Sequence, residues 1–172
     1  MRAQRLQMYH DLEARRGSKL IVYVTGDRPG METQIHPEVV DYFVHHLDLI
    51  GVTKKITLYL YTRGGQTLAA WSIVNLLRQF CDELEVIVPS KARSAGTLIC
   101  LGADRVVMTK QATLGPIDPS VNGPLNPQAP GGGPQSRVSV SVEDVNGFID
   151  FARDSVGASA MAPLVTVAAT SA

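Results

Sequence analysis

Cysteine is scarce in this chain: Cys81 and Cys100 are the only two in 172 residues, and both fall in apolar stretches that read as helix-like. Two thiols make neither a disulfide framework nor a cysteine metal site, so both are expected to be reduced core residues of a cytoplasmic protein. An excess of one charge is also missing, since 16 Lys and Arg balance 16 Asp and Glu. Nothing in that balance points to nucleic acid or to a membrane surface. No run of about 18 apolar residues exists, so no membrane span is expected. The arginine-containing segment 1–16 is not followed by an apolar core, which argues against a secretory signal. The small apolar tail 158–172 is too short and too rich in Ser and Thr to cross a bilayer. No internal repeat is visible. Histidine is confined to positions 10, 36, 45 and 46, so none follows the middle of the chain. No cofactor and no metal are expected.

What is present is an alternation of strands and helices. Residues 2–15 favour a helix ended by Gly17, and Lys19 to Val24 is a β-branched strand. Gly26 to Gly30 is a turn, with Asp27 and Arg28 able to bind a partner or clamp a loop. His36-Pro37-Glu38 opens a helix with the apolar stripe Val40, Phe43, Val44, Leu47 and Ile50. Ile56 to Tyr61 is the next strand. Leu68 to Phe80 is a helix apolar nearly all round, which predicts deep burial. Leu84 to Val88 is a strand, Pro89 to Arg93 a loop, Ser94 to Ala103 a short apolar helix and Arg105 to Met108 a further strand. The order predicts an α/β fold with a mainly parallel sheet. Nine of the 18 residues from Pro119 to Ser136 are Pro or Gly, the composition of a flexible loop or lid. Arg137 to Val140 reads as a short strand, and Ser141 starts a helix to about Ser155.

Two stretches could carry chemistry. Thr62-Arg63-Gly64-Gly65 closes a strand. It is either a plain tight turn or a place where backbone N–H groups can approach a bound carbonyl oxygen. It is no phosphate loop, because no Lys-Ser or Lys-Thr follows, and no dinucleotide loop, because the third glycine is absent. Ser94, thirty residues on, starts a helix. It is either an ordinary helix cap or an exposed nucleophile in the helix's positive field. Small neighbours, Ala95 and Gly96, leave room for a substrate backbone beside it. The stretch lacks the first glycine of the α/β-hydrolase elbow. His45 with Asp41 and Asp48 is a solvated helix face or part of a metal site lacking a third ligand. Arg63 is a solvated turn residue or a contact for a substrate carboxylate.

In succession, Thr62-Arg63-Gly64-Gly65, Ala92-Arg93-Ser94-Ala95-Gly96-Thr97-Leu98, Leu101-Gly102-Ala103-Asp104 and Leu114-Gly115-Pro116-Ile117-Asp118-Pro119 resemble the Clp-fold serine proteinases, and most closely the serine dehydrogenase proteinase family. The segment from Tyr23 to Gly30 fits as well, so the resemblance covers roughly residues 3–157. It implies a ClpP/crotonase-like spiral of ββα units forming one domain over 1–157, with 158–172 a weakly structured or truncated tail. It implies a peptidase-like hydrolase acting on peptide or protein, with Ser94 as nucleophile. The oxyanion hole is implied in the Gly64-Gly65 turn and at Ala95, with the donors being the N–H groups of Gly65 and Ala95. It also implies a homo-oligomer.

The sequence departs from that family in its general base. Clp proteases carry a His after the nucleophile, on the strand aligned with Leu114 to Asp118, and this chain has none there. Lys110 is the one lysine after Ser94, at a turn between strands, and Arg137 is a poor base because it stays protonated. Asp118 aligns beside the missing His and would orient a base or hold the backbone. Two rival readings follow: a noncatalytic assembly or peptide-binding module on the same fold, and an acyl-CoA hydratase-like enzyme of the crotonase fold.

Overall fold

The computed structural model describes residues 2–117, 120–121, 126–128, 137–138 and 140–156. The chain forms two compact units, Met1–Ile117 and Asp118–Ala172.

Four parallel strands make the sheet of the first unit: β1 (Lys19–Val24), β2 (Thr53–Tyr61), β3 (Cys81–Val88) and β5 (Arg105–Met108), in the order β1-β2-β3-β5. Two short strands, β4 (Lys91–Ala92) and β6 (Thr113–Leu114), pair parallel with each other beyond it. The register sets Ile21 beside Leu58, Leu58 beside Val86 and Val86 beside Val106, one apolar row across the sheet. Ile56, Leu58, Leu60, Leu84, Val86 and Val88 are fully buried. Each such side chain contributes about 1.5–3 kcal/mol by leaving water. They pack with Phe43 and Leu47 of α2 (Val39–Ile50) and with Ile73 and Leu77 of α3 (Thr67–Gln79) in one cluster. Two further helices belong to this unit: α1 (Arg2–Arg16), which buries no residue, and α4 (Ala95–Leu101).

Several sequence expectations change here. Helix α2 starts at Val39, because His36 to Glu38 form a turn ahead of it, and Val44 stands exposed beside the buried Phe43 and Leu47. Helix α3 is not buried all round: Leu68 is 77% and Trp71 66% exposed, while Ala69, Ala70, Ile73 and Leu77 are buried in the core and Val74 and Leu76 pack against it partly buried. Cys81 opens β3 rather than lying in a helix. The loop read over Pro89 to Arg93 contains β4, too short to leave a periodic signal.

In the second unit, β7 (Ser120–Val121) pairs antiparallel with β8 (Val140–Ser141), and α5 (Val142–Val156) follows directly. A strand thus lies inside the stretch read as a loop, and Ser141 belongs to β8 rather than to the helix. Arg137 bridges to Gln128, and its guanidinium donates to the carbonyl of Asn126 at 3.2 Å. Asp118, Pro119 and the segment 158–172 lie outside the described residues.

Candidate active site

Strand β2 ends at Tyr61, and the next four residues turn sharply. Gly64 has φ 112° and Gly65 φ 151°, values that side chains rarely adopt. Crowding adds to the requirement. A Cβ on Gly65 would lie 2.3 Å from the carbonyl oxygen of Ile35, and one on Gly64 would lie 2.8 Å from the Cβ of Ser94. Ile35 is fully buried and holds the loop from beneath. Its N–H donates to the Gly64 carbonyl at 2.9 Å, and its carbonyl accepts from Gln66 at 2.8 Å.

Ser94 comes to the same place from the other side. Strand β4 carries the chain past Thr62, whose N–H donates to the Lys91 carbonyl (3.0 Å) and whose carbonyl accepts from Arg93 (3.2 Å). The chain then turns into α4 through Ser94 at φ 51° and ψ −119°, the one non-glycine residue with positive φ among those described. A serine held there on a strand-to-helix turn is strained backbone. The hydroxyl does not cap the helix. It is half-buried, and among the described residues it has no hydrogen-bond partner.

The amides around it fall into two groups. The Gly64 N–H is used, donating to Thr62 Oγ1 at 3.0 Å. The N–H groups of Gly65 and Ala95 donate to nothing among the described residues. Gly64, Gly65, Ser94 and Ala95 are therefore gathered at one turn pair, with a hydroxyl and two donors that are free among the described residues. Gly64 serves as the turn, with its donor already spent.

The remaining candidates are placed differently. Lys110 is exposed in the turn between β5 and β6, which rests on Pro89 and Ser90 through Thr109 and Thr113. No hydrogen bond joins Lys110 to Ser94 among the described residues. Arg63 is exposed, and so is Arg93. Asp27 does clamp a loop: it accepts from the Tyr61 hydroxyl and, at 2.9 Å, from Lys91 Nζ, which also lies 5.3 Å above the Tyr61 ring. The Tyr61 hydrogen bond first, and then Lys91, hold the Asp27 carboxyl below its ordinary range. Asp27 and Tyr61 edge a cavity of about 500 Å³ at the ends of β1 and β2, lined also by Val24, Met31 and Tyr59, which excludes Ser94 and the glycine pair.

Two threonines that the sequence did not single out hold the site together. The Thr62 hydroxyl accepts from the Gly64 N–H of the glycine turn, and its methyl fills the space where a Cβ on Gly96 would lie, 2.4 Å away. Thr97 Oγ1 lies within hydrogen-bond reach of the carbonyls of Ala92 (2.9 Å) and Gly115 (2.8 Å), which share its one proton, and accepts from the Gly115 N–H (3.1 Å). It thereby fixes the start of the Gly115-Pro116-Ile117 stretch against α4. Threonine at a strand end or in a first helical turn is so common that neither position carries a sequence signal.

The first unit thus combines a parallel α/β sheet, a glycine pair at a strand end and a serine at positive φ opening the next helix but one. The profile of the ClpP-like SDH-type serine proteinases matches residues 41–129, just over half of the chain, and the chain belongs to that family. Two uncharacterized proteins of Methanocaldococcus jannaschii are similar. MJ0137 is 47% identical over 68 residues, which is 40% of this chain and 24% of that protein. MJ1495 is 30% identical over 124 residues, 69% of this chain and 42% of that protein. The chain thus spans less than half the length of either relative. Among solved structures, a serine-to-alanine mutant of the membrane-bound stomatin-specific protease 1510-N aligns with a TM-score of 0.49 and 24% identity, over 80% of this chain and 63% of that one. No helix among the described residues is long and apolar enough to cross a membrane.

Proposed function

We propose that the chain is a serine peptidase-like hydrolase in which Ser94 is the nucleophile. The observation that carries the reading is the half-buried Ser94 hydroxyl, unbonded and held at positive φ against Gly64, beside the unused amides of Gly65 and Ala95. Ser94 Oγ adds to the carbonyl carbon of a peptide bond, and its proton is passed on to the nitrogen of the departing amine. The charge that gathers on the carbonyl oxygen is held by the N–H groups of Gly65 and Ala95, each such donor being worth about 3 kcal/mol in the transition state. The C–N bond then breaks, the amine leaves with a proton, and water releases the acyl group from Ser94. Asp118 is the auxiliary group this reading favours for orienting a base. Lys110 is the weaker choice, since its turn packs on Pro89 and Ser90. Two buried free cysteines support placing the protein in the reducing cytoplasm. A homo-oligomeric state is part of the same reading.

The test is covalent labelling with a fluorophosphonate, followed by mass mapping of the modified peptide. Label on Ser94 that disappears in Ser94→Ala supports the reading, and an unlabelled Ser94 in the complete protein sinks it. The lack of a hydrogen-bonded base at Ser94 among the described residues favours a second reading, a noncatalytic peptide-binding or assembly module. That reading expects Ser94→Ala to keep peptide affinity and biological activity.

A further inference from the structure

We infer that Thr62 is the positioning residue of the oxyanion turn, acting through its hydroxyl; its effect on reactivity rests on the hydrolase reading, while its effect on the turn does not. Thr62 is fully buried at the end of β2. Its Oγ1 accepts from the Gly64 N–H at 3.0 Å and from the Thr25 hydroxyl at 3.0 Å, which lies at the end of β1. The Thr62 hydroxyl in turn points toward the Gly64 carbonyl at 3.4 Å. The main chain of the same residue grips β4 on both sides, through Lys91 and Arg93, one residue short of Ser94. Its Cγ2 stands against Gly96, the second residue of α4.

One side chain therefore touches both halves of the site. The hydroxyl fixes the peptide plane between Arg63 and Gly64, and the next plane carries the N–H of Gly65, unused among the described residues. The methyl fixes the turn of backbone that carries Ala95. Gly64 and Gly65 have no side chains to hold their own conformation, and at φ 112° and 151° they have wide freedom to leave it. An outside group must supply the restraint, and the only side-chain oxygen bonded to the Gly64 amide among the described residues is that of Thr62. The Thr25 bond orients that oxygen, because it takes one lone pair and leaves the other for Gly64.

The experiment compares Thr62→Val, Thr62→Ser and wild type. Valine keeps the shape and the methyl next to Gly96 but removes the acceptor; serine keeps the acceptor and removes the methyl. Amide hydrogen exchange at Gly64 is expected to rise about tenfold in Thr62→Val, the size set by one lost buried hydrogen bond. It should stay within roughly threefold of wild type in Thr62→Ser, because the acceptor remains. The fluorophosphonate reaction at Ser94 should slow by at least about tenfold in Thr62→Val, with the loss in the maximal rate rather than in half-saturation, and return in Thr62→Ser. Gly64 exchange in Thr62→Val within about twofold of wild type overturns the inference. Raised exchange in a protein whose wild type takes no label keeps Thr62 as the turn's restraint and rejects the hydrolase reading instead. Should Thr62→Val fail to fold, Thr25→Val removes only the orienting bond, and Gly64 exchange should then rise by roughly threefold; no rise overturns the inference equally.

Discussion

The Cβ of Ser94 occupies the space that any side chain on Gly64 would need, 2.8 Å from the position its Cβ would take. The contact brings two motifs thirty residues apart in the chain to one point. One strand-end turn must lack a side chain so that the residue opening a later helix can lean against it. Gly64→Ala would force its methyl against Ser94 and against the Arg93 carbonyl at 2.9 Å, and would do so at φ 112°. The backbone strain alone costs about 1–3 kcal/mol. We expect a clear drop in the denaturant midpoint and a fall of about 10²–10³ in Ser94 labelling. Gly17→Ala is the matched control: it also has positive φ, at 59°, but nothing lies within 4 Å. It should lose about 1 kcal/mol and leave labelling alone. Equal labelling in Gly64→Ala and wild type would separate the glycine from the site.

The strain at Ser94 gives a second expectation. A residue with a Cβ at φ 51° and ψ −119° is held there by its surroundings, and glycine reaches such angles far more cheaply. Ser94→Gly should therefore be more stable than Ser94→Ala by about 1–2 kcal/mol in urea titration. Glycine is normally the worse of the two near a helix start, so the inverted order is diagnostic. Neither variant should take label. If alanine proves the more stable, the backbone at 94 is not strained and the display of the hydroxyl needs another cause.

How far the sequence discloses this arrangement depends on what each residue type signals. Ile21 to Val24 and Val86 to Val88 are continuous apolar runs, and buried parallel strands are made of such runs, so the sheet is legible. Gly64-Gly65 and Ser94 are legible as a pair because their motif is written in small residues. Thr62 and Thr97 are not, since their roles come from partners far along the chain, Thr25 and Gly115. The exposure of Trp71 is hidden for a related reason: an apolar residue on a helix declares a preference for burial, not the presence of a neighbour to bury it. Glu85 is the reverse case. It stands between the buried Leu84 and Val86 of β3 and is fully buried, and its partner Arg16 is 69 residues away.

The cysteines make a third prediction. Cys100 is 1% exposed, and burial pushes its thiol up to about 11; burial also raises the thiol of Cys81. A thiol that is both inaccessible and protonated attacks disulfide reagents very slowly. The native protein at pH 8 should release no colour with an aromatic disulfide reagent over minutes, and two equivalents after unfolding in urea. Prompt reaction of either thiol in the native state would mean that α4 or the start of β3 opens readily, which is at odds with a rigid support for Ser94.

The buried carboxylate of Glu85 sets the pH dependence of stability. Arg16 donates to it through Nε at 2.7 Å and also through Nη2, Lys55 reaches it at 3.3 Å, and Thr57 donates at 3.1 Å. The Arg16 hydrogen bond above all, then Lys55 and Thr57, outweigh burial and bring its pKa from 4.5 down to about 2. Because the folded value lies below the unfolded one, the ionised form favours folding. That contribution is complete above pH 4.5 and is lost as the pH falls toward 2. Unfolding free energy from urea titrations should hold level from Glu85 above pH 5 and slope downward through this window. Glu85→Gln should remove that part of the slope while costing about 3 kcal/mol at neutral pH, since it leaves Arg16 and Lys55 without their buried counter-charge. Other carboxylates titrate in the same window, so the quantity that decides is the difference between variant and wild type. A constant difference from pH 5 to pH 2 would show that Glu85 does not anchor α1 to the sheet through its charge.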